Sequence, residues 1–376
     1  MLTTKLPLST DLIPKIYVGL DVHKNSWHVT IRSQGAELEH FTQPPSPQAL
    51  AAHLRRTYGD ARFFSAYEAG FCGTLAHERL CALGMHNIIV HAADIPMTDK
   101  QRKNKTDLHD SRSIARFLES GLLTSIHVMS RQQQELRSLF RYRESRVKDV
   151  TRANNRLKSF LCFHGLELPE PFAGKRYLSN KMLCWMSEVK MHSPGGTHTL
   201  VHLVRELRYQ RQQLYLITRQ LRELVQQLMA VEYACLLSVP GIGSVVAIAL
   251  LAETGSIRRF EDPGQYCSFL GLTPWQDSSG ESHHTRGIQP RCNRHLRPLL
   301  IEASWTAIRH SAELRSYYRT HAQGSTPAAG KRAIVKVARR LALTARAVML
   351  SGQEYKEDHS AAQRHRGGAA RAQVKA

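Results

Sequence analysis

In the first 130 positions the apolar residues come in short runs, a pattern that predicts strands. Residues 16–22, 27–32 and 37–42 read as three strands, the first being Ile16-Tyr-Val-Gly-Leu-Asp21. A helix over Pro47–Tyr58, a strand at 62–67, a helix at 74–83, a strand at 87–91 and a helix opening at Asp107 follow. Three strands and then strand–helix alternation is an α/β order with a mixed sheet. Beyond residue 130 the period changes. Leu136, Phe140, Val147, Val150, Leu157 and Leu161 keep steps of three, four or seven, which predicts a packed helix. Prolines and glycines break up 162–198, which reads as a loop around a short helix at 182–186. Leu200, Leu203, Leu207, Gln210, Leu214, Ile217, Leu221, Leu224 and Leu228 then form a coiled-coil seam with one polar core position. An intramolecular hairpin with 131–161 competes with self-association through this seam; the seam is read here as self-associating.

The remaining chain is mainly helical in pattern. Leu236-Leu-Ser-Val-Pro-Gly-Ile-Gly243 predicts a helix, a tight turn and a second helix from Ser244 to Glu253. Residues 331–349 form a basic amphipathic helix, either a core helix or one that faces phosphate. The expected organisation is a leader (1–15), an α/β domain (16–128), a helical hairpin or coiled coil (129–230), a mainly α domain (231–350) and a disordered tail (351–376).

Charge narrows the partners. The 376 residues carry 52 Lys and Arg against 31 acids, a formal charge of +21, which favours nucleic acid over a neutral small molecule. Between Arg131 and Lys158 stand nine Lys or Arg and three acids, so one helix face is largely cationic. Seven scattered cysteines without a CxxC pair argue against a disulfide framework or a zinc finger and for a reducing cytoplasm. No run is long enough for a membrane span, and the N-terminus has no signal-peptide core.

Candidate chemistry lies at two places. Asp107 and Asp110, three apart at a helix start, either cap the helix dipole or ligate a metal. Asp21 and Glu68 end two apolar runs of strand type, where the chain leaves a buried sheet. Four carboxylates meeting at one sheet edge repel strongly, and Mg²⁺ with phosphate oxygens is the usual resolution. His23, Lys24 and His109 lie beside them as substrate contacts or ordinary polar neighbours. The second place is Ser278-Ser279-Gly280, a loop by composition, followed by His283, His284, Arg286, Arg291, Arg294 and Arg297. A serine can attack a phosphodiester where cations stabilise the charge that develops. Upstream, Gly241 and Gly243 permit a backbone approach to phosphate at a helix start, or simply make a tight turn.

The N-terminal order resembles the RNase H-like fold of the RuvC type, and the Pro240–Gly243 turn resembles a helix–hairpin–helix element. Asp21, Glu68, Asp107, Asp110, this turn, Gly271-Leu-Thr-Pro274 and Ser279-Gly280 follow the order of one group. They resemble the insertion-sequence transposases with a DEDD RuvC-like domain and a serine-bearing C-terminal domain, the bridge-RNA-guided recombinases. The resemblance covers most of 16–350. It implies that the four acids bind Mg²⁺ and that Ser279, not Ser278, becomes joined to DNA. It also implies a structured guide RNA, donor and target DNA, and a homodimer or homotetramer in which the acids of one protomer meet Ser279 of another. One departure stands out: Gly287-Ile-Gln-Pro-Arg-Cys-Asn293 replaces a Gly-Ile-Ser-Lys-Arg-Gly-Asn type run, which bears on local nucleic-acid contacts. Two rival readings remain: a metal-dependent Holliday-junction-type endonuclease in which water attacks, and a non-catalytic nucleic-acid-binding scaffold.

Overall fold

The computed structural model describes residues 13–95, 107–170, 172–174, 177–279, 282–323 and 327–357, without the side chains at 107–109, 276–279, 282–286 and 327. Most of the expected leader and of the expected tail lie outside the described residues. The chain divides into two compact units, Met1–Val128 and Met129–Ala376.

In the first unit, strands β1 (Lys15–Val22), β2 (Trp27–Ser33), β3 (Ala36–Gln43), β4 (Arg62–Glu68) and β5 (His86–Val90) form one sheet in the order β3-β2-β1-β4-β5. β1 pairs antiparallel with β2 and parallel with β4, and β4 pairs parallel with β5. This mixed five-stranded sheet is consistent with an RNase H-like α/β domain. Strand alternation gives the sheet two covered faces. Ile16, Val18 and Leu20 join a core with Leu50 and Leu54 of α1 (Pro47–Tyr58) and Leu80 of α2 (Leu75–Ala82). The other face takes α3 (Asp107–Glu119). It can do so because Gly19 has no side chain: a Cβ there would stand 2.1 Å from the Ser111 carbonyl oxygen and 2.4 Å from the Ala115 nitrogen. The buried Thr30–Ser111 hydroxyl pair, at 2.9 Å, and the Arg32–Glu119 ion pair, at 2.8 Å, fix how α3 lies along the sheet.

The second unit begins with a helical hairpin. A capping box of Ser130 and Gln133 starts α4 (Arg131–Phe163), and Ser193 with Pro194 starts α6 (Pro194–Leu228); α5 (Asn180–Glu188) lies between them in sequence. Contacts of Arg143 with Thr218 and of Arg156 with Glu206 show that α4 and α6 run antiparallel. The hairpin has two cores. Ala153, Leu157 and Leu161 meet Leu200, Val204 and Leu207 and the α5 residues Met182, Leu183 and Met186. Leu136 and Phe140 meet Ile217, Leu221 and Val225 in the same core as the C-terminal helices, so 129–230 and 231–350 share one interior.

This corrects the phase of the expected seam. Val204 and Val225 point inward, whereas Leu224 and Leu228 are 38% and 41% exposed. A straight α-helix drifts about 20° per heptad against a strict seven-residue repeat, so the distal leucines rotate out of the intramolecular stripe. Gln210 stands between the two cores, its Oε1 buried without a hydrogen-bond partner among the described residues.

The rest of the unit surrounds α8 (Ser244–Thr254), which is buried from Ala247 to Thr254. Around it stand α7 (Ala230–Leu237), α9 (Pro263–Leu270), α10 (Leu296–His310), α11 (Ala312–His321) and α12 (Pro327–Ser351). Ile334, Val337, Ala338, Leu341, Ala342 and Ala345 of α12 enter the core, which makes the basic amphipathic helix a core helix. The segment after it is not loose at its start. The Tyr355 amide donates to Ser238 Oγ (2.7 Å) and Ser311 Oγ donates to Glu357 (2.6 Å). Among the described residues no helix is long and apolar enough to cross a membrane.

Candidate active site

Topology brings the predicted acids to one end of the sheet. β1 and β4 pair from Lys15↔Arg62 to Leu20↔Tyr67, so Asp21 and Glu68 come next, side by side at the ends of adjacent parallel strands. Adjacent strands lie roughly 4.8 Å apart, and residues in register share a face. That face is the one carrying Gly19, hence the one under α3. The helix runs from Ser111 beside Thr30 to Glu119 beside Arg32, and Thr30 and Arg32 pair with Gly19 and Tyr17 of β1. Its first turn, with Asp107 and Asp110, therefore lies at the Asp21 end of the sheet. Asp21 is 19% exposed at its side chain and accepts from His23 Nε2 at 3.0 Å. Lys24 is exposed, and the side chain of His109 lies outside the described residues.

The donor set is carboxylate oxygen throughout, which suits a hard divalent cation better than a soft one. Among the described residues no three His, Cys, Asp or Glu are already clustered as a metal site; the Asp107 side chain is not among them. The backbone thus brings the positions of the four acids to one sheet end.

In the second unit Ser279 is not in a plain loop. β6 (Pro274–Ser279) and β7 (Ser282–Ile288) form an antiparallel hairpin in which Ser279 pairs with Ser282 and Ser278 with His283. Composition missed the hairpin because its residues are polar and no apolar face marks the strands. The hairpin base is stapled. Gln289 N donates to the Thr273 carbonyl (3.1 Å), and Gln289 Oε1 accepts from Thr273 Oγ1 (3.2 Å). Gly271 adopts φ +70°, and a Cβ there would stand 2.2 Å from Cys292 Cβ. Arg297 donates to the Gln289 carbonyl at 2.7 Å, so this predicted nucleic-acid contact is engaged at the hairpin base. Arg291 and Arg294 are exposed, and the side chain of Arg286 lies outside the described residues.

Gly241 and Gly243 differ. Gly241 adopts φ +88°, and a Cβ there would meet the Ala303 carbonyl oxygen at 2.5 Å, so its bareness serves packing against α10. Gly243 is exposed, caps α8 and has open space where a Cβ would stand.

Sequence reasoning missed a buried carboxylate beside the serine hairpin. Glu253, 1% exposed, accepts from Arg141 Nε (2.7 Å) and Nη2 (2.9 Å) and from Asn293 Nδ2 (3.0 Å). Asn293 Oδ1 in turn accepts from the His295 and Leu296 amides and so caps α10. His295 Nδ1 contacts Glu144. These contacts link α4, α8 and the chain leaving β7. The available signal was an acid closing an otherwise apolar helix. Burial alone pulls the Glu253 carboxyl up, but the hydrogen bonds from Arg141 and Asn293 and the charges of Arg141 and Arg137 outweigh it, leaving its pKa lowered. A lowered carboxyl pKa stabilises the fold above its ordinary value of 4.5, and that stability is lost as pH falls through the lowered one. Glu253→Ala should cost about 1–3 kcal/mol, because Asn293 and the half-exposed Arg141 lose their partner. Denaturant melts at neutral pH measure it, and a loss under about 1 kcal/mol would show that the clamp is idle.

Residues 18–164 match the DEDD-type family model of IS110 transposases, described as "Transposase". Residues 233–319, which include Ser279, match the model described as "Transposase IS116/IS110/IS902 family". A putative transposase, y4qE, of Sinorhizobium fredii is 29% identical over 298 residues, 77% of this chain and 71% of the relative. A second from the same organism, y4rJ, is 26% identical over 340 residues, 78% and 81% of the two chains. The transposase for insertion sequence element IS1111A of Coxiella burnetii is 28% identical over 214 residues, 56% of each chain.

Proposed function

Because the chain belongs to the IS116/IS110/IS902 family of transposases, we propose that it cuts and rejoins DNA through a covalent bond to Ser279, assisted by a divalent cation at Asp21, Glu68, Asp107 and Asp110. The observation that carries this reading is the gathering of the acids at one sheet end by the β1–β4 register and the direction of α3. An isolated capping pair would not need strand-end acids beside it.

The chemistry balances without an outside energy source. Ser279 Oγ attacks phosphorus, the serine O–P bond forms as the P–O bond to the leaving sugar oxygen breaks, and the serine proton ends on that oxygen. Attack by the hydroxyl of another strand reverses the sequence, joins the strands and restores Ser279. A bound cation, Mg²⁺ in this proposal, would neutralise charge on the phosphate oxygens. Arg286, Arg291 and Arg294 are the candidates to stabilise phosphate at the hairpin, and Arg297 holds its base. Incubation with labelled donor DNA, guide RNA and Mg²⁺, followed by denaturing gels, should show protein joined to DNA. Free-ended breakage without an adduct would instead support the junction nuclease, and binding without breakage the scaffold.

The proposal extends to a cytoplasmic protein that carries a structured RNA and works as a dimer or tetramer. Sequencing RNA that co-purifies with the protein tests the first partner. For the second, Leu224 and Leu228 are the exposed residues of the seam. Leu224→Glu combined with Leu228→Glu should leave the melting temperature close to wild type and convert the oligomer to monomer in sedimentation, since burying unpaired charge is costly. An unchanged oligomer would remove this face as the interface.

A further inference from the structure

Between the two cores of the helical hairpin lies a cleft of about 1020 Å³, lined from α4, the start of α5 and α6. Its walls are unlike an ordinary solvated helix face. Tyr177 and Tyr215 line it and are 69% and 65% exposed. Arg208 and Arg211 stand with them, and the lining contains no acid among the described residues. Arg211 is held in place: its guanidinium lies over the Tyr177 ring at 4.8 Å and one N–H donates to the Leu178 carbonyl at 2.6 Å. Arg208 donates to Cys184 Sγ at 3.1 Å. The acids on neighbouring turns are taken, Asp149 by Arg146 and Arg152 and Glu206 by Arg156. The cleft therefore keeps a positive field.

We propose that this cleft holds an unpaired stretch of RNA, with a base stacked on Tyr215, its neighbour against the Tyr177–Arg211 pair, and phosphate on Arg208 and Arg211. Two tyrosine rings left largely in water, set beside fixed guanidinium groups, make a stacking platform that fits single strands and excludes a duplex, whose bases are already stacked. The volume lies at the upper end of the range for small-molecule pockets, about 300–1,000 Å³, and admits a base with its sugar and phosphate. The choice of RNA over DNA rests on three amides in the lining, Asn154, Asn180 and Gln212, which have no protein hydrogen-bond partner among the described residues. An amide both donates and accepts, as a 2′-hydroxyl does. Tyrosine and arginine also serve protein interfaces, so the oligomeric state is read alongside RNA affinity.

The inference rests on the nucleic-acid reading above only for its class of ligand. Its test uses no metal and no cleavage, so failure of the cleft and failure of the serine chemistry are distinguishable. Fluorescence anisotropy would follow the full chain in EDTA with a labelled single-stranded RNA of about ten residues, the DNA of the same sequence, and the RNA duplex. Tyr215→Ala should weaken single-stranded RNA binding by about 5- to 100-fold and leave duplex binding unchanged. Tyr215→Phe should retain most of the affinity, because the ring is what stacks. Arg211→Ala should lower the salt slope by about one. Tyr209→Ala, which removes an exposed ring of α6 outside the cleft, should bind like wild type. Equal losses for single strand and duplex, or no loss in Tyr215→Ala, would overturn the stacking site. Equal binding of DNA and RNA would overturn the assignment to RNA. A changed oligomeric state with unchanged RNA affinity would give the cleft to a second copy and overturn the proposal.

Discussion

Asp110→Asn, and equally Asp21→Asn, should lower Mg²⁺-dependent strand breakage by about three orders of magnitude, the rate equivalent of several kcal/mol of lost charge stabilisation at a metal site. Both variants should still fold and bind nucleic acid. Without metal, Asp21 and Glu68 are like charges on adjacent strand ends, and at about 5 Å in an effective dielectric of 20 they repel by about 3 kcal/mol before solvent screening. Neutralising Asp21 removes part of that repulsion, so the metal-free variant should melt at or above the wild-type temperature. Adding Mg²⁺ should raise the wild-type melting temperature and leave that of the variant nearly unmoved, because an ion binding only the folded state stabilises it by mass action. The two readouts separate a ligand from a helix cap. A cap at Asp110 would lose stability on conversion to Asn irrespective of metal and would leave breakage intact. Wild-type cleavage by either variant, or a wild-type melt blind to Mg²⁺, would remove the acids from the active site.

The sheet was legible because its constraint is local. β1 and β4 are covered on both faces, so their residues read as apolar runs, and each run ends in an acid where the chain emerges. The sequence pattern could not show that Gly19 makes room for α3, which sets the direction of the helix and so the end at which Asp107 and Asp110 arrive. That is a contact between residues some ninety positions apart, with no periodic trace. The long helices were legible as helices but not in phase: leucines at heptad spacing fit two partners equally, and Val204 and Val225, not the expected leucines beside them, enter the intramolecular cores. The β6–β7 hairpin and the Glu253–Asn293 clamp were illegible for a common reason. Both rest on polar pairings between distant segments, and a polar residue in a sequence does not announce whether its partner is protein or water. The run Gly287–Asn293 shows the consequence. Seen as sequence it is a departure from a family pattern; in the fold Gln289 closes the hairpin and Asn293 caps α10, so this chain keeps a built base under its serine.

Ser279→Ala should abolish the covalent protein–DNA adduct entirely, and Ser278→Ala should form it at close to the wild-type level. The two serines are neighbours on β6, but only Ser279 is the last residue of the strand, where the register ends at Ser282. A serine hydroxyl is a weak nucleophile at neutral pH, so the effect depends on phosphate held in line by cations. Glu253→Gln serves as the graded control: it weakens the clamp on Asn293 and Arg141, loosens the base of the hairpin, and should slow adduct formation without abolishing it. The adduct should also be chemically competent. Isolated and given a strand with a free hydroxyl, it should release the protein and yield joined DNA without ATP, because the phosphoserine bond conserves the phosphodiester energy. Adduct formation by Ser279→Ala would move the nucleophile elsewhere in the chain. Free-ended cleavage by Ser279→Ala at the wild-type rate would show that water attacks, leaving the acids as a nuclease site and the serine hairpin as a nucleic-acid contact only.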